Sequence, residues 1–165
     1  MINTHRCWVY GDNVNTDVIF PGKYTYTLKT PEEIASKALE DLDPAFATQV
    51  KAGDVIVAGR NWGMGSSREQ GVTSLKYAGV NCIIAESFSG LYFRNCINQG
   101  VLPIVCTGLH LTLHTGDSIE LDIANHTIIS GGNHYSFSPL SPSVQKIFDA
   151  GGLLPMLQKQ FAAAK

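Results

Sequence analysis

The sequence has no dense basic run: 12 lysines and arginines face 14 acidic residues, for a formal net charge of −2. That balance disfavours a nucleic-acid partner. No apolar run approaches the length of a membrane span, and the opening Met1-Ile2-Asn3-Thr4-His5 lacks the pattern of a signal peptide. The expected compartment is therefore the cytoplasm. Cysteine is scarce and scattered, and Cys7, Cys82, Cys96 and Cys106 contain no C-x-x-C pair. Cys82, Cys96 and Cys106 lie among apolar neighbours, where small buried thiols are ordinary, so the cysteines read as reduced and structural. An iron–sulfur or zinc site built from this chain alone is disfavoured, and no metal is assigned to it. Arginine is limited to Arg6, Arg60, Arg68 and Arg94. Internal repeats and low-complexity linkers are missing too, so residues 1–165 are expected to form one domain. With 44% hydrophobic and 16% charged residues, that domain has enough apolar content for a proper core.

What is present centres on Gly63-Met64-Gly65-Ser66-Ser67-Arg68-Glu69-Gln70. The run Asp54-Val55-Ile56-Val57-Ala58-Gly59 before it reads as a buried strand, and Val72, Leu75 and Ala78 after it fall at helical spacing. A strand, a glycine turn and a helix aim unpaired backbone N–H groups and the positive helix end at an anion. Arg68 at that point suits a carboxylate, because its planar fork offers two parallel donors. Ser66 or Ser67 could serve as nucleophile, as base once deprotonated, or only as a cap. Ser66-x-x-Glu69 and Ser67-x-x-Gln70 both fit a capping box, and spacing alone favours that plainer role. The string lacks the Gly-Lys-Ser/Thr of a phosphate loop, and Arg68 occupies the third glycine position of a dinucleotide fingerprint.

Taken in order, Cys7-Trp8-Val9-Tyr10 reads as a short strand stopped by Gly11-Asp12-Asn13. Asp12 and Asn13 suit a turn, whereas Asp17 runs straight into Val18-Ile19-Phe20 and is less well explained as a turn former. Lys23-Tyr24-Thr25-Tyr26-Thr27 is an edge strand or a loop lining a pocket; in a strand both tyrosine rings would share a face. A helix is predicted from Pro31, capped by Thr30, carrying the stripe Ile34, Ala38 and Leu42 and ending at Asp41 to Asp43. Lys51-Ala52-Gly53-Asp54 is a tight turn. Asn81 to Ala85 and Val101 to Val105 read as strands flanking a helix capped by Ser87 and closed by Gly100. Such crossovers imply parallel pairing. Ile119, Leu121 and Ile123 alternate with Glu120 and Asp122, and with Asn125–Ile129 and Tyr135–Phe137 they suggest a small antiparallel meander. Helices are predicted from Ser141-Pro142 and over Pro155 to Phe161, with Ala162 to Lys165 fraying. His110 and His114 have the i, i+4 spacing of a metal pair but lack a nearby acid, which disfavours metal binding.

Three stretches together resemble a known family. Gly59-Arg60-Asn61-Trp62-Gly63-Met64-Gly65-Ser66-Ser67-Arg68-Glu69 is similar to the signature of the aconitase superfamily swivel domain. Ala85-Glu86-Ser87-Phe88 with Arg94-Asn95-x-x-Asn98-x-Gly100 resembles its second signature, and Gly11-Asp12-Asn13-Val14-Asn15-Thr16-Asp17 with Pro21-Gly22-Lys23-Tyr24 its N-terminal one. The similarity covers about residues 6 to 105 and is greatest to the small subunits of the 3-isopropylmalate dehydratase family. Met64, Gln70 and Ser89-Gly90 depart from the residues common there.

The resemblance implies an α/β fold, a β/β/α swivelling domain with a mixed sheet and flanking helices, closing over a separate large subunit. That partner would carry a [4Fe–4S] cluster, with no cofactor bound by this chain. Ser66 would act as alkoxide base, Arg68 would grip a substrate carboxylate and Ser67 would help hold substrate or base. Asp17 would pair with a large-subunit histidine. The loop Tyr24, Thr25, Tyr26 and Thr27 would read the substrate's third substituent, and the absence of arginine there favours a small apolar one. The implied reaction is the hydro-lyase interconversion of 3-isopropylmalate and 2-isopropylmalate, as in leucine biosynthesis. Alternatives are 2,3-dimethylmalate or citramalate dehydration, a catabolic setting, or a non-catalytic carboxylate-binding domain. Without its partner the chain should be inert, and its uncovered face could pair with a second copy.

Overall fold

The computed structural model describes residues 2–163. Its strands are β1 (Ile2–Val9), β2 (Val55–Ala58), β3 (Cys82–Ala85), β4 (Leu102–Val105), β5 (Ser118–Asp122), β6 (Thr127–Ser130) and β7 (Asn133–Ser136). The helices are α1 (Thr16–Ile19), α2 (Pro31–Ala35), α3 (Phe46–Gln49), α4 (Gln70–Tyr77), α5 (Gly90–Gln99), α6 (Pro142–Asp149) and α7 (Leu153–Ala163). The strands form one seven-stranded mixed sheet in the order β4-β3-β2-β1-β5-β6-β7. Among the described residues no helix is long and apolar enough to cross a membrane.

β1 joins two kinds of pairing. Cys7, Trp8 and Val9 run parallel to Val55, Ile56 and Val57. Ile2 to Arg6 run antiparallel to Asp122 to Ser118. The strand begins at Ile2, ahead of the predicted Cys7–Tyr10, because Ile2 to Arg6 pair with β5 although that half is mostly exposed and shows no apolar alternation, and it ends at Val9. β2, β3 and β4 continue the parallel side, and β5, β6 and β7 form the expected antiparallel meander. Pro103 is tolerated in β4 because β4 is an edge strand.

Both faces of the parallel half are buried, which explains its unbroken apolar runs. Ile56, Ala58, Ile83 and Ala85 face one core with Trp8, Phe46, Trp62, Leu75 and Tyr92. Val55, Val57, Cys82 and Ile84 face the other with Ile119, Leu121 and Ile128. The four cysteines are buried and free, and burial pushes the Cys7 and Cys82 thiols up to about 12.

Several local expectations are corrected. Thr30 and Glu33 form the full capping box of α2, but the helix stops at Ala35 instead of reaching Asp41. Leu39 takes a left-handed φ of 58° and sends its N–H to the Ile19 carbonyl at 2.8 Å, trading a helical bond for a tertiary one. Of the two readings open for Lys23–Thr27, the structure has the loop: Gly22–Tyr24 is a 3-10 turn and the rest stays irregular. Ser87 does not cap α5, which begins after Ser89; its hydroxyl accepts the Asn61 N–H at 2.8 Å. Gly100 does end α5 in the left-handed conformation, as predicted. α7 starts before Pro155 and continues through Ala162 and Ala163, while the predicted fraying of Ala164 and Lys165 lies outside the described residues.

Candidate active site

The loops that follow β1, β2 and β3 emerge together at the C-terminal edge of the parallel strands, where open α/β sheets place ligands. The first two are laced by backbone bonds. Gly59 N–H donates to Gly11 O (3.2 Å), Asn13 N–H to Arg60 O (2.8 Å), Gly63 N–H to Val14 O (2.8 Å) and Thr16 N–H to Met64 O (2.9 Å). Side chains add to this, with Asn61 Nδ2 donating to Asn13 Oδ1 at 3.1 Å. The buried Thr16 hydroxyl accepts the Ser66 N–H at 2.8 Å. This lacing brings Asp17 beside Ser66 and Arg68 although about fifty positions separate them.

Gly63 makes the turn possible. Its φ is 75°, and a Cβ there would stand 2.1 Å from the Tyr92 ring. Ser66 and Ser67 then lie in an irregular stretch ahead of α4, so the capping boxes do not form: the helix begins after Glu69 with no side-chain cap. The N–H groups of the helix start therefore do not reach Ser66. The half-buried Ser66 Oγ accepts the Arg68 N–H at 3.2 Å instead. Ser67 is exposed, and its carbonyl accepts Asn95 Nδ2 at 2.9 Å.

Arg68 is the charged centre of the site. Its Nη2 is paired with Asp17 Oδ1 and donates to Phe20 O at 3.5 Å, and its guanidinium packs against Gly22. Asn15 Oδ1 caps the Asp17 N–H at 2.6 Å and so fixes α1, leaving the Asp17 side chain 63% exposed. The predicted substrate loop follows Gly22, against which this guanidinium packs. Tyr24 hydroxyl reaches Glu40 at 3.4 Å, with Lys23 and Lys37 over its ring. Thr27 Oγ1 turns back to Tyr24 O at 3.4 Å, Thr25 Oγ1 is buried without a partner among the described residues, and Tyr26 is 85% exposed.

The histidine spacing does not make a pair. Leu109–Thr112 is a 3-10 turn, and the His114 side chain is 92% exposed against Asp117. His110 lies instead with Asp12 and Glu86, their donor atoms within 4.8 Å of one another. Arg60 already supplies the positive charge there, 3.2 Å from Asp12 and 3.8 Å from Glu86. The Arg60 N–H and guanidinium hold the Asp12 carboxyl below its usual range.

A model of the aconitase C-terminal domain matches residues 11–108, the span that carries all of these loops. The chain belongs to this family. Its place within the family is among hydro-lyase small subunits. An isopropylmalate/citramalate isomerase small subunit from Methanocaldococcus jannaschii is 40% identical over 162 residues, which are 97% of this chain and 96% of that protein. A methanogen homoaconitase small subunit from Methanothermobacter thermautotrophicus is 44% identical over 151 residues, 90% of this chain and 86% of that one. The crystal structure of a 3-isopropylmalate dehydratase from M. jannaschii superposes with a TM-score of 0.92 at 38% identity, covering 99% of this chain and 98% of that chain. The swivel-domain fold expected from the motifs is the fold observed.

Two groups of this swivel domain's site escaped the sequence reading of roles. In the motifs Thr16 is the middle position of Asn-Thr-Asp and Asn95 one position of the second signature, with no role attached to either. Neither has a local signal, because each acts on a loop far along the chain.

Proposed function

We propose that this chain is the small subunit of a [4Fe–4S]-dependent hydro-lyase that isomerises 3-isopropylmalate and 2-isopropylmalate by dehydration and rehydration. The observation that carries the reading is the convergence of Ser66, Arg68 and Asp17 on one sheet edge through two interlocked loops.

In this reading Arg68 binds a substrate carboxylate by exchanging its contact with Asp17 for the ligand. Ser66, as alkoxide, takes the proton from the carbon beside a carboxylate; the electron pair forms the alkene as the carbon–oxygen bond breaks. The hydroxyl leaves with a proton as water, and addition of water in the other orientation gives the isomer. The Arg68 N–H at Ser66 Oγ stabilises the alkoxide in a site that closure would dry. Asp17, released by Arg68, is free to orient a proton donor from the partner.

The cluster would supply the Lewis acid for the departing hydroxyl. This chain's cysteines do not fit its ligation: they are buried in the cores, and burial raises their thiol pKa values. The one grouping of ligand side chains among the described residues, Asp12, Glu86 and His110, has no thiolate. The reading therefore places the cluster on a large subunit.

A second reading has its own observation. Lys23, exposed and without an ion pair among the described residues, stands at the head of the Tyr24–Thr27 loop. A cation there suits an acidic third substituent, as the homoaconitase relative's name suggests. Anaerobic co-expression with the large subunit and an alkene-absorbance assay on isopropylmalate, dimethylmalate, citramalate and homocitrate separates the readings. Preferred turnover of isopropylmalate supports the first; preferred turnover of homocitrate overturns it.

A further inference from the structure

Ser66, Ser67 and Arg68 sit on a stretch without regular secondary structure, yet a base must be held to a fraction of an ångström. Besides the contacts of Arg68, two bonds hold the Ser66–Ser67 backbone from outside. Thr16 takes the Ser66 N–H at 2.8 Å, and Asn95 Nδ2 donates to the Ser67 carbonyl at 2.9 Å.

The second bond has a specific consequence. The Ser67 carbonyl and the Arg68 N–H belong to one planar peptide unit. Asn95 binds the oxygen end of that unit, and the nitrogen end donates to Ser66 Oγ at 3.2 Å. The orientation of the Asn95 amide follows from its partner, since a carbonyl facing a carbonyl would repel. A peptide held at its oxygen cannot rotate its N–H away from Ser66, and the bond to oxygen also polarises the N–H into a better donor.

The scaffold behind Asn95 is rigid. On α5, Cys96 and Ile97 are buried, and Tyr92 donates its hydroxyl to Gly71 O at 2.7 Å, just beyond the loop. The Tyr92 ring also packs on Gly63, just before it. One face of α5 thus grips the start, the middle and the end of the loop.

We infer that Asn95 is a positioning residue that fixes the Ser67–Arg68 peptide so that its N–H stabilises the Ser66 alkoxide. The inference rests on the role proposed above for Ser66. Asn95 touches neither substrate nor cluster in this account; it acts through one peptide plane on the proton affinity of the base.

The test compares wild type, Ser66→Ala and the near-isosteric Asn95→Asp, which removes the donor, in the reconstituted two-subunit enzyme, with Asn95→Ala as a second variant should Asn95→Asp fail to fold. The expected result is a kcat lowered by about 10- to 100-fold, short of the roughly 10²–10³ seen when an oxyanion donor is deleted outright. KM should change little, and the rising limb of the kcat–pH profile should move to higher pH. In the isolated chain, NMR should show the Arg68 amide shifting and exchanging faster while amides of β6 stay unmoved. Wild-type kcat and pH limb in the Asn95 variants, or an unmoved Arg68 amide, would overturn this inference while an inactive Ser66→Ala left the functional reading standing. Full turnover by Ser66→Ala would overturn both.

Discussion

The Thr16 hydroxyl accepts the backbone N–H of Ser66 at 2.8 Å, so the loop after β1 and the loop after β2 meet at one buried oxygen. The same residue's N–H binds Met64 O at 2.9 Å. Asp17 follows Thr16 directly, which makes this contact the link between the acid and the serine.

Thr16→Val keeps the shape and removes the acceptor. The stranded Ser66 N–H should cost about 1–3 kcal/mol of stability. Urea unfolding of the isolated chain measures this. Thr16→Ser retains the oxygen and should recover most of the loss.

Arg68→Lys retains the charge but not the fork. Losing one charge-assisted bond, worth about 1.5–3 kcal/mol, predicts a kcat/KM lower by roughly 10- to 150-fold, with KM raised. Steady-state kinetics of the two-subunit enzyme checks the expectation.

Gly63→Ala forces a side chain into a left-handed position already filled by Tyr92, with φ at 75°. A loss of at least about 2 kcal/mol is expected from clash and strain together. Thermal unfolding reads it directly, and Gly11→Ala, which meets nothing within 4 Å, is the comparison.

Asp54 gives the pH dependence. Burial works against its charge, but hydrogen bonds from Arg6, the Lys51 N–H and Trp8 outweigh that and hold its pKa below the usual carboxylate range. Because the folded-state pKa is depressed, the contribution is complete above the unfolded value of about 3.9 and is lost as pH falls through the folded one. Stability should therefore decline below about pH 4, and Asp54→Asn should flatten that decline while lowering stability at pH 7. Denaturant midpoints between pH 7 and pH 2.5 provide the measurement.

Much of the architecture was legible. Unbroken apolar runs with β-branched centres marked β2 and β3 because both faces are buried, and alternation marked β5 because one face is wet. The first half of β1 was illegible because its partner, not its own pattern, makes it a strand. α2 is shorter than its spacing predicts because the Ile34–Ala38–Leu42 stripe continues in sequence, while Leu39 breaks the backbone to reach Ile19. Ser66 and Ser67 were ambiguous for a chemical reason: hydroxyls that cap a helix and hydroxyls that do chemistry are the same groups at the same spacing. The motifs could place Asp17, Ser66 and Arg68 in one family pattern, but the Asp17–Arg68 contact, Thr16 and Asn95 depend on pairings across the chain.

The most direct test of the account is the rate of alkene formation from 3-isopropylmalate by the reconstituted complex carrying Ser66→Ala, beside Ser67→Ala and wild type. If Ser66 is the base, its variant should lose about 10²–10⁴-fold in kcat, the range that general acid–base catalysis supplies, with complex formation intact and Ser67→Ala affected less. A Ser66→Ala enzyme turning over within about threefold of wild type, far inside that range, would contradict the account.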